Sequence, residues 1–219
     1  MKLLVTAGPT REAIDPVRFI SNRSSGKMGY AVASAAAGKG HEVRLISGPA
    51  AIEVPEGISI VTRVVSATEM LAAVHANVDW CDALVMSAAV ADMRPAETSS
   101  SKIKKDGSTR ILKLEPTEDI LLSIAPLKHD RVFVGFAAET ERLEENARQK
   151  LEAKGLDLII ANDVSATDAG FEVDTNRVSL IERNGSIEKW GLQSKSEIAD
   201  RIVKWLEDYI SSRRCQSSS

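Results

Sequence analysis

Short β-rich runs alternate with helical patterns along most of this chain, and that alternation restricts the fold more than any other feature. The runs KLLVT, EVRLIS, ISIVTRV, DALVMSA, RVFVGFA and LDLIIA are interspersed with helical periodicities over Lys27 to Lys39, Ala67 to Ala76, Glu118 to Ala125 and Glu141 to Lys154. Parallel strands need crossovers, and crossover helices lie on the faces of the sheet, so the pattern implies a mostly parallel sheet covered on both sides. Near the C-terminus RVSLIE and SIEKW read as an antiparallel pair, followed by a last helix. The expected fold class is α/β, Rossmann-like and doubly wound. A chain of 219 residues suits one domain, residues 1–210, with 211–219 as a polar tail expected to be disordered.

Two helices carry local support. Ser194 and Glu197 form a capping-box pattern ahead of Ile198, Ile202, Trp205 and Tyr209 on one stripe, so that helix should pack on the core. In the other, Thr140 can cap, Glu141, Glu144 and Glu145 sit toward the positive end, Arg148, Lys150 and Lys154 toward the negative end, and Gly155 follows as a stop.

Composition excludes several classes of function. With 28 Lys plus Arg against 31 Asp plus Glu, the net charge of −3 offers no field for gathering nucleic acid. The longest mostly apolar stretch, Ala83 to Ala91, is less than half the ~20 residues of a membrane-spanning helix. Met1 leads into a strand and not into a secretory segment, so no membrane partner and a cytoplasmic location are expected. Cys81 and Cys215 lie far apart, and His41, His75 and His129 show no metal-ligand spacing, so neither a disulfide framework nor a metal centre is expected, and no metal ligands are assigned.

Two irregular segments interrupt the rhythm, Gly8 to about Ser25 and Met93 to Ser101, both longer than the usual 2 to 6 residues of a strand-to-helix loop. Beyond the second, KIKK and RILKL flank Asp106-Gly107, a strong hairpin signal, so Lys102 to Leu114 is expected to form a protruding two-stranded arm. Its lysines also suit a solvated charge run that blunts a strand edge. Such an arm has too few apolar residues to stand alone and should lie against a second subunit, which predicts a homodimer.

Ligands of open α/β sheets bind beyond the carboxyl ends of the strands. Four strands here end in small or polar clusters: TAGPTRE, SAAVADMRP, GFAAET and ANDVS, where Asp92, Glu139, Asn162 and Asp163 add hydrogen-bonding groups. Small residues also permit tight turns, but four such clusters together favour a site. The densest group is SNRSSGKMG, Ser21 to Gly29, where a helix begins; its free N–H groups suit an anion, and Ser24 or Ser25 can equally cap the helix. Met28 stands where a Walker A loop needs Ser or Thr, and the G-x-G-x-x-G fingerprint is absent.

In the order TAGPTREAIDPVRFISNRSSGKMG, SAAVADMRP, KIKK, VGFAAET, ARQKLEAKGLDLIIANDVS and GFEVDTNRV, from Met1 to about Ile210, the chain closely resembles the phosphopantothenate-cysteine ligase family of coenzyme A biosynthesis. The resemblance implies that the carboxylate of 4'-phosphopantothenate attacks the α-phosphorus of a nucleoside triphosphate, CTP in preference to ATP, with Mg2+. Pyrophosphate leaves, and cysteine's amine then displaces the nucleoside monophosphate. Many bacterial relatives carry a flavin-dependent phosphopantothenoylcysteine decarboxylase domain in front; this chain resembles a free-standing or excised ligase domain, without flavin, whose decarboxylase partner is separate or fused.

The same resemblance implies roles for individual residues. Asn22 would hold the phosphopantothenoyl moiety and polarise the acyl-nucleotide carbonyl, with Ser24, Ser25 and Gly26 near phosphate and Ala88 at the substrate. Asp92, Thr117, Glu118, Asp119, Ile120, Lys150 and Lys154 would serve the nucleotide, Phe136 would pack against its base, and Lys102 would be a mobile cation on the phosphates. Glu118 stands where the family usually has proline. In a simple doubly wound sheet the end of the helix bearing Lys154 points away from the strand ends, and Lys150 and Lys154 also suit helix C-terminal cations. A nicotinamide-dependent reductase and a non-catalytic nucleotide-binding module are the competing readings of the fold.

Overall fold

The computed structural model describes residues 1–139, 142–163 and 173–217. Strand β1 (Lys2–Ala7) leads into a small ribbon of β2 (Arg11–Ala13) and β3 (Phe19–Ser21), and helix α1 (Lys27–Gly38) returns the chain to β4 (Glu42–Ser47) and β5 (Ile58–Arg63). Helix α2 (Ala67–Val78) precedes β6 (Ala83–Met86); a second ribbon, β7 (Met93–Pro95) with β8 (Leu114–Pro116), precedes the short α3 (Ile120–Ile124). The rest runs β9 (Val132–Glu139), α4 (Leu143–Ala153), β10 (Leu158–Asp163), β11 (Thr175–Glu182), β12 (Ile187–Ser194) and α5 (Lys195–Ser217).

Eight strands form one sheet in the order β12-β11-β10-β9-β6-β1-β4-β5. The six from β10 to β5 are parallel, and β11 and β12 extend the sheet antiparallel, as the sequence pattern requires. Strands β1 and β6 read as nearly unbroken apolar runs because both of their faces are covered. Alternate residues feed two cores. Leu3, Val5 and Ala7 pack with Val32, Ala36, Ile198 and Ile202 of α1 and α5. Leu4 packs with Met70, Val74, Ile124 and Leu151 of α2, α3 and α4. Strand order reverses between β1 and β6, and the crevice at that switch point is where such a sheet takes a ligand.

The capping box at α5 forms as expected: Ser194 Oγ accepts from the Glu197 N–H at 3.2 Å, and Glu197 Oε2 accepts from the Ser194 N–H at 2.8 Å. Ile198 and Ile202 are fully buried, while Trp205 and Tyr209 stack at 4.6 Å on the half-buried flank. The helix continues to Ser217, so residues 211–217, expected as disordered tail, are helical; nothing in SSRRCQS breaks the helix, and the Ser212 hydroxyl donates back to the Tyr209 carbonyl. Thr140 and Glu141, expected to open the α4 helix, lie outside the described residues. No described helix is long and apolar enough to cross a membrane.

The protruding hairpin takes a different form. Residues 102–113 hold no strand, and the antiparallel pairing lies closer to the sheet, Met93–Pro95 against Leu114–Pro116. The Asp106-Gly107 turn does form, with Asp106 accepting from the Ser108 N–H at 3.0 Å and its hydroxyl at 2.6 Å. Its flanks fail to pair because KIKK and RILKL present no alternating buried face to fix a register. The arm is therefore a short ribbon with a long irregular tip.

Candidate functional site

The loops after β1 and β6 are laced together before any ligand is considered. Thr6 Oγ1 accepts from the Ala88 N–H, the Gly8 carbonyl accepts from the Ala89 N–H, and Thr10 Oγ1 accepts from the Ala91 N–H at 2.9 Å. Thr117 closes the far side, its hydroxyl donating to the Ala91 carbonyl at 2.6 Å and its N–H to the Asp92 carbonyl. The TAGPTRE cluster thus braces the SAAVAD loop, and its residues do not line the cleft. Asn22 belongs to the same lacing: its Nδ2 donates to the carbonyls of Ala89 at 3.2 Å and Val90 at 3.0 Å. Both N–H bonds expected to meet a substrate carbonyl hold the loop in this state.

Helix α1 opens beside that loop. Gly26 occupies the N-cap position in the left-handed region, φ 84°, which a glycine adopts without steric penalty. Its N–H donates to Ser24 Oγ at 3.3 Å, and the Lys27 N–H reaches Ser25 Oγ at 3.5 Å. Both hydroxyls thus accept from N–H groups at the helix start, as the capping alternative expects, and both line the cleft. Gly29 lets the helix touch the sheet: a Cβ there would meet Ser87 Oγ, Ala7 Cβ at 2.6 Å and the Thr6 carbonyl oxygen at 2.8 Å. Gly29→Ala is therefore expected to destabilise the fold by about 1–3 kcal/mol through overpacking, read as a lower denaturation midpoint with unchanged slope. An unchanged midpoint would show that α1 has room to move.

These elements frame a cleft of about 530 Å³ along the carboxyl edge of the sheet. It gathers Asn22, Ser24, Ser25, Gly26, Ala88, Asp92, Thr117, Glu118, Asp119, Ile120, Phe136, Lys150 and Lys154, every expected site residue except Lys102. The GFAAET cluster lines it through Phe136, Ala137 and Ala138. Lys154, which simple topology turns away from the strand ends, is brought in because its Nζ pairs with Asp119 Oδ2 at 2.9 Å, while Asp119 Oδ1 caps α3 on the Leu122 N–H. The side chains of Glu139 and Asp163 lie outside the described residues. A second hollow of about 1180 Å³, around Trp80 and Arg131, sits at the amino ends of the strands, where sheets of this type do not take ligands.

Lys102 is exposed on the tip of the second excursion. Its neighbour Ile103 is pinned: the Ile103 N–H donates to Asp15 Oδ2 at 3.2 Å, and Arg18 Nη2 donates to the Ile103 carbonyl at 2.7 Å. Asp15 is buried, and its other oxygen accepts from the N–H groups of Val17 and Arg18 at 2.8 and 2.9 Å. Burial pushes its pKa up, but these backbone donors and the Arg18 charge outweigh burial and hold it below the usual carboxylate range. The two irregular excursions are thus clasped to each other.

Asn162, Asn176 and Lys195 also line the cleft, and the family resemblance assigns none of them an individual role. Asn162 was visible as a polar strand-end residue; Asn176 and Lys195 were not, since one reads as an ordinary residue of an antiparallel strand and the other as the residue after a helix cap. Asn162 and Asn176 are 7% and 3% exposed, and the carboxamide oxygen of each is buried with no hydrogen-bond partner among the described residues. Lys195 is 6% exposed, donating from Nζ to the Val173 carbonyl at 2.6 Å. Burial and then the nearby Lys27 ammonium pull its pKa down to about 8, against the Asp174 carboxylate, which itself pairs with Lys27 at 2.6 Å. Among the described residues no three His, Cys, Asp or Glu side chains are grouped to hold a metal ion. The buried Cys81 thiol is pushed up to about 12, which removes it as a nucleophile.

Comparison with known proteins gives a family and a fold. A family model described as DNA/pantothenate metabolism flavoprotein C-terminal domain matches residues 1–210. The coenzyme A biosynthesis bifunctional protein CoaBC of Bacillus subtilis is 46% identical over 202 residues, covering 92% of this chain and 50% of that protein. A protein of an unknown prokaryotic organism described as a cysteine/cysteine sulfinic acid decarboxylase is 42% identical over 204 residues, covering 93% of this chain and 57% of that protein. The chain thus spans about half the length of the curated relatives it matches. The crystal structure of the C-terminal domain of a CoaBC superposes with a TM-score of 0.82 at 39% identity, covering 96% of each chain.

Proposed function

Because the chain belongs to the DNA/pantothenate metabolism flavoprotein C-terminal domain family, we propose that it is a phosphopantothenate-cysteine ligase, joining 4'-phosphopantothenate to L-cysteine with a nucleoside triphosphate, CTP in preference to ATP. The chain covers 50% and 57% of the two curated relatives, so an activity named for either whole protein need not reside in the shared part. The observation that carries the reading is the convergence of the expected residues, Lys102 apart, on one cleft at the switch point.

The chemistry divides into two displacements. The carboxylate of 4'-phosphopantothenate forms a bond to the α-phosphorus as the bond to pyrophosphate breaks. Cysteine's amine then forms the C–N bond, the C–O bond to the nucleotide breaks, the nucleoside monophosphate leaves, and the surplus proton on nitrogen passes to solvent. The N–H groups at the start of α1, with Ser24, Ser25 and Gly26, receive phosphate oxygens. Phe136 offers a ring face to the base, and Asn162, its diagonal neighbour on β10, offers the nucleoside a carboxamide oxygen that has no partner among the described residues. Lys150 and Lys154 supply positive charge from α4, and Asn22 fixes the loop that carries Ala88 and Asp92. The cleft suits a magnesium ion carried in on the triphosphate, since such an ion needs only one or two protein carboxylates and Asp92 lines the wall unpaired by any ion pair among the described residues. Bound there, magnesium would neutralise phosphate charge.

Pyrophosphate release measured with each nucleoside triphosphate, phosphopantothenate and cysteine tests the assignment. CTP should give the fastest release and an equal amount of amide, whereas no release from any triphosphate would overturn it. The reductase alternative would use a Tyr-x-x-x-Lys pair, but neither Tyr30 nor Tyr209 has a lysine four residues later, and Tyr30 is buried, hydrogen bonded to Ser47 at 2.9 Å and accepting from Arg63 at 3.0 Å.

The working unit in this reading is a homodimer. Val17, Phe19, Met93, Ile111, Leu112 and Leu114 are exposed on the two ribbons and their loops, Ile111 at 95%, a concentration of apolar side chains that marks an interaction surface. Sedimentation velocity at micromolar concentration should show a dimer, and Phe19→Asp should convert it to monomer. A wild-type monomer with full activity would refute the assembly.

A further inference from the structure

The residues given roles in the reaction above seat a nucleotide and a phosphorylated carboxylic acid, and that assignment leaves the free amino acid, which presents an anionic carboxylate beside an amine, without a seat. We infer that Asn176 and Lys195 form the seat for the amino-acid substrate, Lys195 pairing with its carboxylate and the Asn176 carboxamide oxygen accepting from its amine. The inference rests on the ligase reading above and deepens it by naming the subsite for the second substrate.

Topology brings the two together at the right edge. Strand β11 runs antiparallel to β10, so its amino end, where Asn176 lies, is level with the carboxyl ends of β9 and β10. Strand β12 turns back antiparallel to β11, pairing Thr175 with Ser194, and Lys195 follows directly, its N–H donating to the Asp174 carbonyl at 2.9 Å. Both side chains line the cleft and both are more than nine-tenths buried. The pairing of Lys27 with Asp174 ties this corner to the first residue of α1, beside the phosphate cradle.

The donor and acceptor pattern decides between an amino acid and a phosphate. Phosphate oxygens only accept, so a buried carboxamide oxygen without a partner opposes them unless it turns away. An amine has N–H bonds to satisfy that oxygen, and a carboxylate satisfies the lysine. The choice of amide over carboxylate has a chemical consequence. Asp or Glu at this position would stabilise an ammonium and keep the nitrogen unreactive, whereas a neutral amide adds no negative charge and leaves the uncharged amine available as the nucleophile.

Lys195→Met, Lys195→Arg and Asn176→Leu in the full chain test this, with cysteine and its decarboxylated analogue cysteamine as probes. The pyrophosphate burst without amine should survive in all three. For Lys195→Met, KM for cysteine should rise at least tenfold while that for cysteamine stays within twofold. Lys195→Arg should keep most of the preference for cysteine, and Asn176→Leu should weaken both amines. Equal shifts for the two amines in Lys195→Met, or a raised nucleotide KM in its place, would overturn the seat. Calorimetry of cysteine binding separates the two levels. Wild-type protein without any burst defeats the ligase reading, and the seat then stands or falls on whether cysteine binds and Lys195→Met weakens it.

Discussion

Asn22→Asp should slow acyl-nucleotide formation and amide formation together, each by about 10²-fold or more, the loss typical when reacting groups are misplaced by about an ångström. The wild-type amide donates to two backbone carbonyls of the loop that carries Ala88 and Asp92. A carboxylate at that position has no hydrogen to donate and sets negative charge against both oxygens, so the loop must move. Sequence similarity alone suggests a different outcome, in which Asn22 polarises the acyl carbonyl and the second step suffers more. Quenched time courses of pyrophosphate and amide decide: parallel loss supports the bracing role, and a selective loss of the second step restores the polarising one. Thermal unfolding should also shift modestly, since two hydrogen bonds worth about 1 kcal/mol each are removed.

Lys102→Ala is expected to lower turnover by about 10²- to 10³-fold, the range for losing one group aimed at developing charge, with no measurable change in thermal stability. The residue is exposed and its substitution removes no core contact. Steady-state rates set against melting curves check both halves of the statement. Activity retained within a few-fold would return Lys102 to the solvated charge run that KIKK also resembles.

How far the sequence speaks for the structure differs by element, for physical reasons. The central strands are legible because burial on both faces forces apolar runs, and the α5 cap because Ser194 and Glu197 are near neighbours in sequence. The ribbon was misplaced onto residues 102–114 because an Asp-Gly turn is a local signal, whereas pairing depends on a face that can be buried. Asn22 stands out in the sequence but its hydrogen bonds to the Ala89 and Val90 carbonyls do not, since those partners lie 67 and 68 residues away. Lys154 was set apart by idealised topology, and a single ion pair with Asp119 brings it to the cleft. Asn176 sits in GFEVDTNRV, one of the motifs that carry the resemblance, yet nothing local indicates that its carboxamide oxygen is buried without a partner among the described residues.

The clasp at Asp15 has a consequence for how a cation on an exposed loop meets its target. With Ile103 pinned on both its N–H and its carbonyl, Lys102 starts from an anchored backbone, and its one side chain, not the whole loop, sets the volume that the ammonium explores. Tethering of this kind acts as a local concentration, and a tether of one residue should exceed the mM values typical of flexible linkers. Release of the clasp would leave the ammonium in place chemically but dilute it. On the role proposed for Lys102, Asp15 would set the dose at which its ammonium is delivered.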